Sequence, residues 1–407
     1  MFTEKTGQKP LGLYMSNFLK RNIVLIALIL IFLLGLFIRF YELNKIPNGF
    51  HIDEAINGVN GYFILHTGRD TNNNKFPLQT EVFGDYNPTG YSYLSILPIN
   101  FLGLNEFSTR AAGAFLGSLT VLASFFLAFS FFKNKQVSLL SAFFIAISPW
   151  HIVLSRSSEE TLVSLFFVVL GFALVFLSLE NKKLKFLIPG VILLTISYFM
   201  YFTPRVFVPL LLLAIIIHLF SPWEKPRNTK YRNFLLGLSV FLGILSFFLV
   251  FVTRGGGDRF KQVSIFGASG TRLVMEEQIR EDGLAKTPVK ITQTFHNKII
   301  NYSLSYVSNY IDYFSGKFLF IDGGFPIWFR VEGVGMIYLI ELPFLLMGLL
   351  FLSTSKSKMH KIPLLWLFVA PLIAAITTDD IPNVRRSLIM FPIIEIISAF
   401  GFLYILQ

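Results

Sequence analysis

The chain has 407 residues, of which 54% are hydrophobic and 14% charged, with a formal net charge of +11. An ordinary soluble domain carries about 25% charged residues, so the composition excludes a run of two or three soluble domains. There is no Cys, which excludes disulfides, thiol catalysis and Cys-ligated metals; the Lys and Arg lie mostly between apolar runs and form no basic stripe interleaved with aromatics, which argues against a nucleic-acid binder.

A run of about 20 apolar residues rising 1.5 Å each crosses the roughly 30 Å hydrocarbon layer. Such runs must be helices, because lipid offers no partner to a free backbone N–H or C=O. Taken in order, the runs predict about ten spanning helices near 22–38, 109–132, 136–154, 161–179, 185–202, 206–220, 233–252, 333–352, 363–377 and 387–405. The first follows Lys20-Arg21, is too long for a signal-peptide core and has no small-residue cleavage site before Arg39, so it reads as a retained signal-anchor. With the N-terminus in the cytoplasm, Lys133/Lys135, Lys182/Lys183/Lys185, Lys225/Arg227/Lys230/Arg232 and Lys356/Lys358/Lys361 all face inward, as the positive-inside rule requires. The outer loops are then 39–108, 155–160, 203–205, 253–332 and 378–386.

In the first outer loop, Ile52, Ala55, Ile56, Val59, Phe63 and His66 recur at helical spacing and predict an amphipathic helix lying in the interface. Pro88 to Leu104 is apolar but short and interrupted by Pro98; a crossing there would invert every later loop, so it reads as a juxtamembrane or half-inserted element. The loop 253–332 mixes charge with aromatics and predicts short surface helices. Gly255-Gly256-Gly257 and the GASG at 267–270 are turn signals without the Lys-Ser/Thr of a phosphate loop. The chain reads as one unit over 1–407 and ends directly after an apolar run, which is compatible with a further C-terminal region.

Four outer constellations could carry chemistry. His51-Ile52-Asp53-Glu54 opens the amphipathic helix; Asp53 is either a helix cap or a general base at the membrane surface. Arg156 and Glu160 stand at i and i+4, the spacing of an ion pair on one helix face. Arg205 lies in the tight Thr203-Pro204-Arg205 turn. Asp379-Asp380-Ile381-Pro382-Asn383-Val384-Arg385-Arg386 joins the last two helices. Several arginines gathered from separate outer loops suit phosphate recognition. Glu341 and Glu395 fall inside apolar runs, where charge is expensive; they mark an ion path, or, for Glu341 ahead of Pro343, a partner for freed backbone.

The strings HIDEAINGVNGYFILHTGRD (51–70), FGDYNPTGYSYL (83–94), LNEFSTRAAGAFLGSLTV (104–121), SPWHIVLSRSSEETLVSLFF (148–167), YFTPRVFVPLLLL (201–213) and DDIPNVRRSL (379–388) resemble, in this order, the GT-C glycosyltransferases. The likeness is to bacterial and archaeal members of the dolichyl-phosphate-mannose protein mannosyltransferase and aminoarabinose transferase group. RFKQVSIF, FHNKIINY and GVGMIYLIELPFLL continue it, so it covers residues 39–405. The resemblance implies an all-α polytopic membrane protein, a GT-C bundle with outer juxtamembrane helices. It implies transfer of a sugar, with inversion, from a polyprenyl-phosphate carrier to a protein, lipid or glycan acceptor on the outer face of a bacterial or archaeal membrane. Asp53 matches the base, with Glu54 beside it in the same catalytic motif. Arg156, Arg205 and Arg386 match positions that bind the donor phosphate, and Glu160, Asp85, Tyr86, Asn87, Asp379, Asp380 and Asn383 fall where substrate is expected. No cofactor is required if guanidinium groups carry the phosphate charge, although Asp and Glu are compatible with a hard divalent cation. The chain departs from the pattern at Asn87-Pro88-Thr89-Gly90, where Lys-Pro-Pro-Leu is common, and at Asn383, where His is common. The competing readings are a transporter or flippase of lipid-linked sugars, built from the same residue types, and an inactive member that binds polyprenyl lipid.

Overall fold

The structure, a computed structural model, describes residues 11–181, 184–220, 229–252, 263–267 and 269–406. Lys182, Lys183, Lys225, Arg227 and the Gly255–Gly257 turn singled out above lie outside the described residues. In chain order the helices are α1 (Leu11–Phe40), α2 (Ile52–Thr67), α3 (Gly90–Leu102), α4 (Glu106–Phe132), α5 (Lys135–Ile147), α6 (Pro149–Ser155), α7 (Glu160–Asn181), α8 (Leu184–Met200), α9 (Thr203–Leu219) and α10 (Thr229–Phe247). There follow α11 (Ser269–Leu284), α12 (Val289–Phe295), α13 (Lys298–Asp312), α14 (Leu342–Thr354), α15 (Ile362–Val369), α16 (Pro371–Ala374), α17 (Val384–Ser387) and α18 (Phe391–Leu406). One antiparallel hairpin, β1 (Gln79–Val82) and β2 (Asp85–Pro88), interrupts the helices, with Val82 opposite Asp85 and Gln79 opposite Pro88. Its turn, Phe83-Gly84, has positive φ at both residues, the geometry that matches the twist of the two strands. The all-α expectation holds for the bundle and misses this hairpin.

Five helices are long and apolar enough to cross a membrane, and a sixth crossing arises if α5 and α6, bent by 57° at Ser148-Pro149, are one span. Four further apolar helices have 10–17 residues, so length and composition support six of the ten expected crossings. The second break falls at Ala370-Pro371, between α15 and α16. Lipid exposure is visible in what stays uncovered. Helix α1 presents Ile23, Leu25, Leu30 and Phe37 outward, and α10 presents Val240, Phe241, Ile244 and Phe247. Continuous apolar surface of this extent is untenable in water, and the chain is an integral membrane protein. At the centre α7 packs on α4 and α8, with Trp366 between Phe172 and Phe207 at ring separations of 5.0 and 5.4 Å. The Trp366 indole N–H donates to Ile389 O at 2.8 Å.

Helix α13 is amphipathic in the sense a membrane surface demands. Ile299, Leu304, Val307 and Ile311 face outward, while the polar groups turn to the protein. Tyr306 and Tyr310 hydroxyls donate to Leu372 O (3.2 Å) and Phe368 O (2.9 Å), and Asn309 donates to Ala375 O (3.1 Å) and Thr377 O (2.9 Å). These are carbonyls of the broken α15–α16 segment and its end. The predicted interfacial elements α2 and α3 pack on each other and on α4, and Leu97, Phe101 and Leu102 of α3 remain exposed. At the far end Phe132 meets His360 at 5.4 Å and His218 meets Lys358 O at 3.0 Å, so the ends of α4 and α9 and the loop around Lys358 gather away from the elements just described.

Helices α14 and α18 touch backbone to backbone through two glycines. A Cβ on Gly401 would stand 2.0 Å from Phe344 O, and one on Gly348 would stand 2.2 Å from Ile397 O. Gly243 has open space around it. Gly401→Val is expected to destabilise the protein by about 1–3 kcal/mol through overpacking, and Gly243→Val to be close to neutral, in thermal unfolding of the detergent-solubilised protein.

Candidate active site

The site begins where α1 ends. Three arginines there are spent on backbone carbonyls. Arg39, wholly buried, donates to Gly35 O (2.9 Å), Ala146 O (3.1 Å) and Ile145 O (3.1 Å), which caps the α5 end at the Pro149 break. Its Nη2 also lies 2.6 Å from His151 Nδ1. Arg156 returns the favour to α1, donating to Ile38 O, Tyr41 O (2.6 Å) and Ile46 O (3.0 Å). Arg110, also wholly buried, takes Leu43 O (3.2 Å), Pro47 O (3.2 Å) and Gly49 O (2.6 Å). The otherwise irregular stretch 41–50 is thereby held at five carbonyls.

The same Arg110 forks onto Glu54, at 2.9 Å from Nε to Oε1 and 2.9 Å from Nη2 to Oε2. Glu54 further accepts the Ser158 N–H (3.1 Å) and the His51 N–H (3.0 Å). It is buried and fully engaged, so it holds the scaffold beside Asp53. His51 supplies the N-cap of α2, its Nδ1 accepting the Asp53 N–H at 3.2 Å. The cap expected of Asp53 is therefore filled by its neighbour, and the Asp53 carboxylate is left to face a cleft.

Arg385 closes that cleft. Its guanidinium lies 3.5 Å from Asp53 Oδ2, 2.9 Å from Glu159 Oε2 and 3.2 Å from Glu160 Oε2. Glu160 Oε1 accepts from Asn57 at 2.9 Å, and Asn57 also donates to Ser158 O. Arg156 and Glu160 are thus not an ion pair: α6 ends at Ser155 and α7 begins at Glu160, so no continuous helix brings i and i+4 together. Burial pushes Glu159 up to about 8, against the opposing pull of the Arg385 guanidinium. Glu159, Asn57 and Arg110 were not among the residues chosen from the sequence, and Arg385 was named within its loop without a role of its own. Adjacent residues on a helix diverge, so the Arg385-Arg386 pair could have been read as one cation for the carboxylates and one for another site.

Arg386 takes that second direction. It donates to Asp379 O at 2.8 Å and, with Arg205, lines a groove of about 210 Å³ whose walls include Tyr201, Val206, Val250 and Ile373. Arg205 is buried, donates from Nε to Tyr198 O at 2.9 Å and stands 4.7 Å above the Phe202 ring. Tyr201 and Thr203 line both this groove and a narrower space that reaches Arg385. On the other side of Arg385, Asp53, Asn57, Asn87 and Glu160 line the Asp53 cleft. The remaining expected residues have other duties. Asp85 accepts the Tyr86 N–H (2.9 Å) and the Tyr86 hydroxyl donates to Glu81 (3.1 Å), both within the hairpin. Asp379 and Asp380 are exposed. Asn383 is buried as the N-cap of α17, accepting the Arg386 N–H at 3.1 Å.

The segment after α13 roofs the site. Phe325 N–H donates to Pro382 O (2.9 Å) and Val384 N–H to Phe325 O (2.8 Å). Trp328 stacks on His51 at 5.0 Å, and Phe329 lies 5.8 Å from the Arg385 guanidinium. Glu341 accepts the Tyr338 N–H at 3.3 Å in a capping box, and Glu395 accepts the Trp150 indole N–H at 3.2 Å. Among the described residues no group of His, Asp and Glu is arranged as a ligand set for a metal.

No family model matches the chain, and no curated protein does. Solved structures share its fold. The archaeal oligosaccharyltransferase AglB from Archaeoglobus fulgidus, in complex with an inhibitory peptide and a dolichol-phosphate, superposes with a TM-score of 0.60 at 14% identity, over 95% of this chain and 51% of that one. ArnT from Cupriavidus metallidurans bound to undecaprenyl phosphate gives 0.54 at 10% identity, over 93% of this chain and 59% of that one. Both have the GT-C fold, and the likeness gives this chain that fold; it spans between half and three fifths of their length.

Removing one partner of a buried ion pair strands the other. Arg110→Ala is expected to cost about 3–5 kcal/mol, and Arg110→Ala combined with Glu54→Ala to cost less than the sum of the two single variants. Thermal unfolding in detergent reads all three, and strict additivity would contradict the coupling given to the pair.

Proposed function

We propose that the protein is a membrane glycosyltransferase that moves a sugar from a polyprenyl-phosphate carrier to an acceptor hydroxyl, with Asp53 as the base. The observation that carries this reading is a juxtaposition of a cationic groove with a carboxylate cleft, the two linked through Arg385. The groove of Arg205 and Arg386 leads past Tyr201 and Thr203 to Arg385, and Asp53 stands on its far side. The neighbours of this fold bind a dolichol-phosphate and undecaprenyl phosphate, which fits a groove with apolar walls and guanidinium groups beside them. The carrier chain would lie against Val206, Val250 and Ile373, with its phosphate toward Arg386.

The reaction then needs little else. The acceptor oxygen attacks the anomeric carbon, its proton passes to Asp53, and the bond from anomeric carbon to phosphate oxygen breaks with both electrons leaving on the phosphate. Attack from the side opposite the phosphate inverts the centre. Arg386 and Arg205 would stabilise the charge that grows on the leaving group, which is most effective where water is scarce. Arg385 would supply the positive charge that keeps Asp53, Glu159 and Glu160 together in one cleft, the part a divalent cation could otherwise play. A transporter would place its charged residues at the midplane beside broken helices. Here the arginines and carboxylates of the site converge at one end of the bundle, which favours the enzyme. The positive-inside pattern supports a non-cytoplasmic position for that end.

Purified protein in lipid vesicles, supplied with a panel of polyprenyl-phosphate hexoses and candidate acceptors, tests the reading. Asp53→Asn is expected to lower turnover by about 10²–10⁴-fold, the usual contribution of a positioned base, while binding of the carrier persists. Arg386→Ala is expected to raise the donor KM by about tenfold or more, as loss of a charge-assisted contact does. Equal activity of Asp53→Asn and the parent would remove Asp53 from the mechanism. Absence of turnover on every donor would favour a polyprenyl-lipid binder.

A further inference from the structure

The Asp53 cleft has a second opening, away from Arg385. Ile56, Asn60 and Val82 line the Asp53 cleft and also a larger one of about 300 Å³ that runs between α2 and the β1–β2 hairpin. Val59 and Thr71 stand on one wall of the larger cleft, Glu81 and Phe83 on the other. Three polar groups there are fixed in orientation. Asn60 is 1% exposed, and its Oδ1 accepts both the Thr71 N–H and the Thr71 hydroxyl, each at 3.0 Å. That network settles which way the amide points. The Asn60 Nδ2 is left as a donor with no protein partner among the described residues, at the wall common to both clefts. Thr71 has given its hydroxyl proton to Asn60 and can only accept. Glu81 takes the Tyr86 hydroxyl on Oε2, which leaves Oε1 for a ligand.

We propose that this cleft is the acceptor subsite and that its ligand is an uncharged carbohydrate, whose hydroxyl is delivered to Asp53. The inference rests on the glycosyltransferase reading above and adds to it the class of acceptor. A volume near 300 Å³ is at the small end of sites for organic ligands, the scale of a sugar unit and short of an extended chain. A sugar ring offers hydroxyls that both give and take hydrogen bonds, which Glu81, Thr71 and the Asn60 amide match in kind. Its C–H face suits Ile56, Val59 and Val82. The carboxylates of Glu81 and Asp53 select against acceptors bearing phosphate or acidic groups. Phe83, at the hairpin turn and 85% exposed, closes the outer lip. The donor arrives from the opposite side, by way of Arg386, so the two substrates meet at Asp53 without crossing.

The experiment compares transfer to a neutral glycoside and to a Ser/Thr-containing peptide, with the active polyprenyl-phosphate hexose held constant. Val59→Trp narrows the cleft, and Glu81→Gln, at an exposed position, removes a carboxylate without threatening the fold. The expected result is transfer to the glycoside, with the acceptor KM raised by about tenfold or more in each variant and the donor KM held, the signature of lost acceptor binding alone. Unchanged acceptor KM in both variants overturns the subsite. Transfer by the parent to peptide but not to glycoside overturns the acceptor class. No cleavage of any donor by the parent, with Asp53→Asn the same, instead brings down the glycosyltransferase reading on which the subsite rests.

Discussion

A membrane helix that stops or bends leaves carbonyls that nothing in lipid can satisfy, and this protein answers that constraint with buried arginines. Arg39 reaches from the end of α1 to the end of α5, and Arg156 reaches from the end of α6 back to the end of α1. Each guanidinium offers five donors in a planar fork, enough to gather carbonyls from a chain that has no regular structure of its own. Arg110 does the same for Leu43, Pro47 and Gly49 and adds the Glu54 fork. The position of Asp53 follows from these contacts. With residues 41–50 pinned and His51 and Glu54 closing the first turn of α2, the carboxylate between them stands 3.5 Å from Arg385 and 3.7 Å from His51 Nδ1.

This arrangement explains which parts of the site could be read from the sequence. Hydropathy and basic loops gave the class of protein, the order of helices and the gathering of the polar loops at one end, because lipid imposes those patterns on every segment separately. The surface helices α2 and α13 were visible as apolar stripes or mixed charge. Asp53 was identifiable as a polar group opening an outer helix. The roles of the arginines were not, since a guanidinium aimed at a carbonyl and one aimed at a phosphate look alike in sequence. Arg156 was assigned to phosphate and serves α1; Arg385, beside the Arg386 that was chosen, faces the carboxylates. The helical spacing of Arg156 and Glu160 misled because the chain turns between them. The hairpin at 79–88 was missed because its strands are four residues each, too short to show alternation.

The broken helices are tied to the same logic. Where α15 gives way to α16 at Pro371, α13 lies across the segment and donates from Tyr306, Asn309 and Tyr310. A surface helix thus becomes a structural partner of a membrane segment, and Ile373, which lines the Arg205–Arg386 groove, is carried on the segment so held. The roof segment 325–330 continues from that region, pairing with Pro382 and Val384 and setting Trp328 on His51. The groove side and the Asp53 side are therefore braced by one stretch of chain, residues 298–330.

Arg385 divides the space they enclose. Three carboxyl groups at hydrogen-bonding or near-contact distance would repel one another without a cation between them, and the guanidinium fills that place from α17. Because α17 is also where Asn383 caps and where Arg386 departs toward the groove, a shift of this short helix would alter both sides at once. The groove and the Asp53 cleft are in this way joined through four residues of backbone, Val384–Ser387.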